Sequence, residues 1–85
     1  MSGKGNGSVI RQIVLTVAVT PDDDTDLPRG ETRAVYVGTE GDLAVVYRNG
    51  VEDVLPNLAP GMLHSFQVVR IKATGTTATG IRAAY

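Results

Sequence analysis

Apolar positions along this chain come in short bursts, each closed by turn-forming residues, and the bursts repeat with a period of two rather than 3.6. Residues 9–20 (VIRQIVLTVAVT) form the longest burst. Ile13, Leu15, Val17 and Val19 recur on alternate positions, and Val14 and Ala18 between them are also apolar, so a strand buried on both faces is expected. A helix here would need apolar residues at i, i+3 and i+4, and the many Val and Ile side chains would be crowded against its preceding turn. Pro21 ends the strand, because it has no amide to donate, and the following DDDTDLPRG reads as a loop. Residues 33–39 (RAVYVGT) and 43–48 (LAVVYR) are short strands separated by Glu40, Gly41 and Asp42, and they are expected to pair with each other. Asn49-Gly50 is the strongest local signal: this dipeptide tolerates the positive φ of a type I′ turn, which predicts a tight hairpin joining residues 45–48 to 51–55.

Two prolines and a glycine in residues 56–61 (PNLAPG) predict a loop. Residues 65–73 (SFQVVRIKA) then alternate, with Gln67, Val69, Ile71 and Ala73 on one face and Phe66, Val68, Arg70 and Lys72 on the other. Residues 74–80 (TGTTATG) read as a small-residue turn, and residues 81–85 (IRAAY) as a closing strand with Ile81, Ala83 and Tyr85 on one face. Roughly six short antiparallel strands and no helical segment predict an all-β protein, a small single-domain β-sandwich or barrel. Residues 1–8, rich in glycine and small polar residues, are expected to be a flexible arm, leaving residues 9–85 as the single β domain.

Composition narrows the function. A chain of 85 residues buries too little surface to be strongly stable alone, and it has no cysteine for disulfides or thiolate metal sites. Open strand edges add to the expectation of a homo-oligomer. Eight Lys+Arg stand against nine Asp+Glu, so the basic footprint of a nucleic-acid binder is missing, and no nucleic-acid partner is expected. Residues 13–19 fall far short of the roughly 20 apolar residues that cross a bilayer, so no membrane association is expected, and no signal-peptide pattern follows Met1.

The search for chemistry finds little. Asp22, Asp23, Asp24 and Asp26 could offer oxygens to a hard cation, but they lack the central glycine and distal glutamate of a calcium loop; a partner's basic surface suits them better. His64 and Ser65 are sequence neighbours, which on a strand point to opposite faces, so they make no catalytic dyad. Glu52 and Asp53 fail as a facing carboxylate pair for the same reason. Thr74-Gly75-Thr76-Thr77 lacks the lysine and strand-to-helix context of a phosphate loop. No catalytic residue, cofactor or metal site is read, and the chain is expected not to be an enzyme. The residues expected to meet partners are Asp22, Asp23, Asp24, Asp26, Arg33, Tyr36, Arg70, Lys72 and Tyr85, tyrosine being favoured at interfaces for its apolar body and polar tip. The alternative class is a small single-stranded nucleic-acid-binding β-barrel using Arg33, Arg48, Arg70, Lys72 and the tyrosines. A small hydrolase is a weaker third.

Three blocks, PDDDTDLP (21–28), TRAVYVGTEGDLAV (32–45) and VRIKATGTTATGIRAAY (69–85), resemble in order and spacing the head spike base protein family of tailed phages and gene transfer agents. Members are very short and end in a nearly identical ATGTTAT segment followed by an apolar, aromatic-terminated tail. This chain departs from that pattern in residues 1–12 and at 63–67 (LHSFQ). The resemblance implies a virion structural protein on the capsid surface of a phage or gene transfer agent particle, assembled in the host cytoplasm. It implies a homo-oligomer, a pentamer, seated at the capsid vertex between the major capsid protein and a spike fibre protein.

Overall fold

The computed structural model describes residues 12–85. The expected flexible arm, and the part of the first predicted strand before residue 12, lie outside the described residues. Seven short strands follow in order: β1 Thr16–Ala18, β2 Ala34–Tyr36, β3 Gly41–Tyr47, β4 Glu52–Leu58, β5 Leu63–His64, β6 Val68–Ile71 and β7 Arg82–Ala84. They form a four-stranded sheet, β1-β7-β2-β5, and a three-stranded sheet, β4-β3-β6. Every pairing is antiparallel. The protein is therefore all-β, as the period of its apolar residues predicts. One apolar core draws Val35, Val37, Ile81 and Ala83 from the larger sheet and its flanks, and Leu43, Val45, Leu58, Val68 and Ile71 from the smaller.

The expected pairing of β2 with β3 is wrong. β2 bonds to β5 and β7, while β3 bonds to β4 and β6. Between them the backbone amides of Gly38 and Thr39 turn to the carbonyl of Thr79, at 2.8 and 3.1 Å. Gly38 and Gly80 permit this crossing: a Cβ on Gly80, whose φ is +65°, would stand 3.0 Å from the Gly38 Cα. The chain thus switches sheets where two glycines let backbones touch.

The Asn-Gly hairpin forms, but with a different turn. Gly50 has φ +87° and Asn49 is not in the positive region. The Gly50 amide donates to Tyr47 O and the Tyr47 amide to Val51 O, both at 2.9 Å, giving a three-residue loop with glycine in the left-handed position. The loop expected from residue 56 begins later, because β4 continues through Pro56 to Leu58. As an edge strand β4 tolerates a missing amide. The register shifts there, from Leu43↔Leu55 to Gly41↔Leu58, with Asn57 at φ 53° and its amide on Asp42 Oδ1 at 3.0 Å.

A second irregularity corrects the predicted faces of β6. Val46 pairs with Arg70 and Tyr47 with Val68, so β6 spends one extra residue against β3. This bulge resets the alternation and buries both Val68 and Ile71, which strict period two would place on opposite faces. The first strand also differs from expectation. β1 spans only three residues, and as a sheet edge it is not buried on both faces: Thr16 and Val17 are half-buried and Ala18 is exposed, and Val14 just before the strand is 79% exposed.

Residues 22–32 run along the outer edge of β6. The amides of Asp22, Leu27 and Thr32 donate to the carbonyls of Ile71, Val69 and Val68, at 2.9, 2.8 and 3.0 Å. Thr32 is fully buried and satisfied: its hydroxyl donates to Phe66 O at 2.8 Å and accepts the Val68 amide at 3.1 Å.

Candidate interaction surfaces

Cross-strand register sorts the charged residues. On the outer face of the smaller sheet, Glu52, Val46 and Arg70 lie in one row across β4, β3 and β6. Lys72 Nζ reaches Glu52 Oε1 at 2.8 Å, and Arg70 Nε reaches Asp26 Oδ1 at 2.8 Å. Arg70 also donates to the carbonyl of Asp23 at 3.1 Å. The Asp23 carboxylate accepts the Thr74 hydroxyl at 2.6 Å and its amide at 2.9 Å. Those two bonds hold the Asp23 pKa below the ordinary carboxylate value. The hydrogen bond from Lys72 lowers Glu52 in the same way, and the same contact raises Lys72.

Four of the nine sequence-predicted residues, Asp23, Asp26, Arg70 and Lys72, are therefore gathered on one face, where Asp23, Asp26 and Arg70 bind the acidic loop to the sheet and Lys72 ties β6 to β4 through Glu52. Asp22 and Asp24 are exposed beside them, with Asp22 Oδ1 accepting the Asp24 amide at 2.8 Å. Among the described residues no group of three His, Asp or Glu side chains converges to hold a metal ion.

The other three lie on the larger sheet or beside it. Arg33 is exposed and donates to Gln12 O at 2.6 Å. Tyr36 is half-buried in β2 and lines a shallow depression with Thr16, Gly61, Leu63 and Arg82. Tyr85 is fixed by backbone bonds with Val14 and Leu15, and its hydroxyl donates to Gly30 O at 3.3 Å. Burial raises its pKa. Tyr85 lines, with Val17, Val19, Leu27, Ile71 and Ala83, a mostly apolar groove of about 330 Å³. His64 Nε2 donates to Ala59 O at 2.9 Å, a satisfied local contact.

Sequence reasoning missed the role of residues 74–80. The segment joins β6 of one sheet to β7 of the other, and its threonines bond the backbone of β3 and of the chain leading into it. The Thr76 hydroxyl accepts the Ala44 amide at 3.0 Å and donates to Lys72 O at 2.6 Å. Thr77 Oγ1 accepts the Asp42 amide at 2.8 Å, and the hydroxyls of Thr39 and Thr79 meet at 2.7 Å. Gly41 lets the segment lie this close: a Cβ there would stand 2.6 Å from the Ala78 amide nitrogen. The available signal was the spacing of threonines among small residues, which a turn alone does not require.

No protein-family model matches this sequence, and no curated protein matches it. Among solved structures, the chain is similar to one from the capsid of a native gene transfer agent particle computed with C5 symmetry. The two are 32% identical, superpose with a TM-score of 0.78, and the match covers 94% of this chain and 92% of that one.

Proposed function

We propose that this chain, which belongs to the family of that gene transfer agent capsid chain, is a head spike base: a non-catalytic adaptor that anchors a spike or fibre at a capsid vertex. The observation that carries a virion structural role is the likeness to the particle chain across nearly the whole length of both. The finer reading, an oligomeric base between the major capsid protein and a fibre, rests on the three sequence blocks and on the surfaces described above. A passive adaptor needs a stiff body and exposed contact surfaces. The threonine-stitched crossing supplies the first, and the exposed Asp22, Asp24 and Arg33 with the flanks of the larger sheet supply the second.

The rival reading, a single-stranded nucleic-acid barrel, fits the charges less well. Arg70 and Lys72 are paired with Asp26 and Glu52, and Arg48 lies 3.7 Å from Glu31. A groove that tracks phosphates needs unopposed cations. Imaging particles made with and without the protein, together with its solution mass by light scattering, tests the proposal. Vertex density that disappears with the protein is expected; particles with unchanged vertices would overturn it. Salt-dependent binding of oligonucleotides would favour the rival.

A further inference from the structure

The two sheets treat their edges differently. In the smaller sheet, residues 22–32 cover the outer edge of β6, and β4 carries Glu52, Asp53 and Pro56. These are the devices by which natural sheets prevent edge-to-edge pairing. The larger sheet has no covering segment and no charged residue or proline within its edge strands; the one charge at its β1 edge comes from β7, where Arg82 reaches the Thr16 hydroxyl and carbonyl at 3.1 and 3.3 Å. Its edge strands are β1 and β5, and among the described residues no strand pairs with the outer side of either. Residues 12–20 (QIVLTVAVT) carry no charge, and residues 58–67 (LAPGMLHSFQ) carry none apart from the His64 ring.

Exposed apolar side chains concentrate at the same two places. Val14 and Leu15 flank β1 at 79% and 37% exposure, and Met62 and Leu63 stand at β5 at 54% and 41%. The remaining large exposed apolar residues, Val51 and Val54, are on the hairpin side of β4. Backbone directions are also compatible. β1, β7, β2 and β5 alternate in direction, so a second copy set beside β5 in the same orientation would present its β1 antiparallel to it. Leu15 and Tyr85 exchange backbone bonds, at 3.3 and 2.8 Å, and the Val19 amide donates to Ile81 O. By the alternation of an antiparallel ladder, the amides of Thr16 and Ala18 point to the outer side.

We propose that β5 of one copy pairs antiparallel with β1 of the next, continuing the four-stranded sheet from subunit to subunit with Leu63 opposite Ala18, Met62 beside Val19, and Val14 and Leu15 beside Phe66. Because the two surfaces differ, the contact is heterologous. It closes into a ring when the rotation per subunit divides a full turn. Edge strands without acidic or basic side chains of their own meet with little like-charge repulsion, and together with the matching strand directions this selects a second copy over a charged partner. The inference rests on the homo-oligomeric part of the function proposed above and names its interface.

The chain has no native cysteine among its residues, so engineered ones report directly. Purified Ala18→Cys and Leu63→Cys proteins are mixed and oxidised, alongside each variant alone. The mixture is expected to give a disulfide-linked dimer, and the double variant a ladder ending at the ring size; each single variant alone stays unlinked. Val14→Lys and Met62→Lys, with folding checked by circular dichroism, are expected to weaken self-association about tenfold or more. An oligomer that forms without a disulfide between positions 18 and 63, and that tolerates both lysines, would overturn this interface and leave the homo-oligomer standing. Linkage in the Ala18→Cys protein alone would assign an isologous β1 contact instead and overturn it too. A monomer at every concentration would overturn both.

Discussion

Replacing Thr32 with valine tests how far one buried hydroxyl holds the loop of residues 22–32 to β6. The substitution keeps the shape of the side chain and removes both of its hydrogen bonds, to Phe66 O at 2.8 Å and from the Val68 amide at 3.1 Å. Thr32 is 0% exposed, so water cannot replace the lost partner without opening the site. Each buried polar group left unpaired costs about 1–3 kcal/mol, and two such groups give about 2–4 kcal/mol when some relaxation is allowed. For a chain of this size each kcal/mol lowers Tm by about 4–8 °C, so a fall of about 8–32 °C is expected. Thr32→Ser keeps the hydroxyl and loses one methyl, at about 1 kcal/mol. Urea and thermal unfolding at fixed protein concentration give both values, since self-association would otherwise shift the midpoint. A valine variant within about 0.5 kcal/mol of the parent, or a serine variant less stable than the valine one, would refute the reasoning.

Gly41→Ala places a Cβ 2.6 Å from the Ala78 amide nitrogen and 2.8 Å from its Cα, both backbone atoms, so a loss of about 1–3 kcal/mol is expected in the same unfolding assay. Thr76→Val removes the hydroxyl that bonds Ala44 and Lys72; faster amide exchange at Ala44, with the Asn49-Gly50 hairpin less affected, checks that the segment stitches β3 locally. Asp23 and Glu52 are lowered in the folded state, so their contribution is present above the ordinary carboxylate range and is lost as pH falls through the lowered values. Lys72 is raised, so its contribution is present below the ordinary lysine value and lost as pH rises through the raised one. Unfolding midpoints should drop on acidification, Asp23→Asn should flatten that limb, and high salt should weaken the Glu52–Lys72 part, which is a surface pair.

The head spike base reading rests on three blocks of residues. The structure explains why two of those blocks are coupled: Thr77 and Thr79 of the last bond Asp42 and Thr39 of the middle one. The acidic block is joined to the last in the same way, through Asp23 on Thr74 and Asp26 on Arg70. Three residues expected to meet partners, Asp23, Asp26 and Arg70, are thereby engaged within the chain, and Lys72 is a fourth through Glu52. Charge on a loop shows that it wants a counter-charge, and sequence alone does not say on which molecule.

Period-two runs of Val, Ile and Ala, punctuated by Pro, Gly and Asn-Gly, determined an all-β chain, because alternation and turn chemistry are local properties. They also located the β3–β4 hairpin, whose partners are neighbours in sequence. Which strands share a sheet was decided only by the tertiary structure. β2 and β3 are consecutive and look ready to pair, yet two glycines and a threonine ladder carry the chain from one sheet to the other. The bulge at β6 is of the same kind: one extra residue reverses every face beyond it, and only the register against β3 shows it is there. The exposed edges of the larger sheet follow from that strand order, since a neutral, apolar run such as residues 12–20 reads as core until the sheet it belongs to leaves one side of it open.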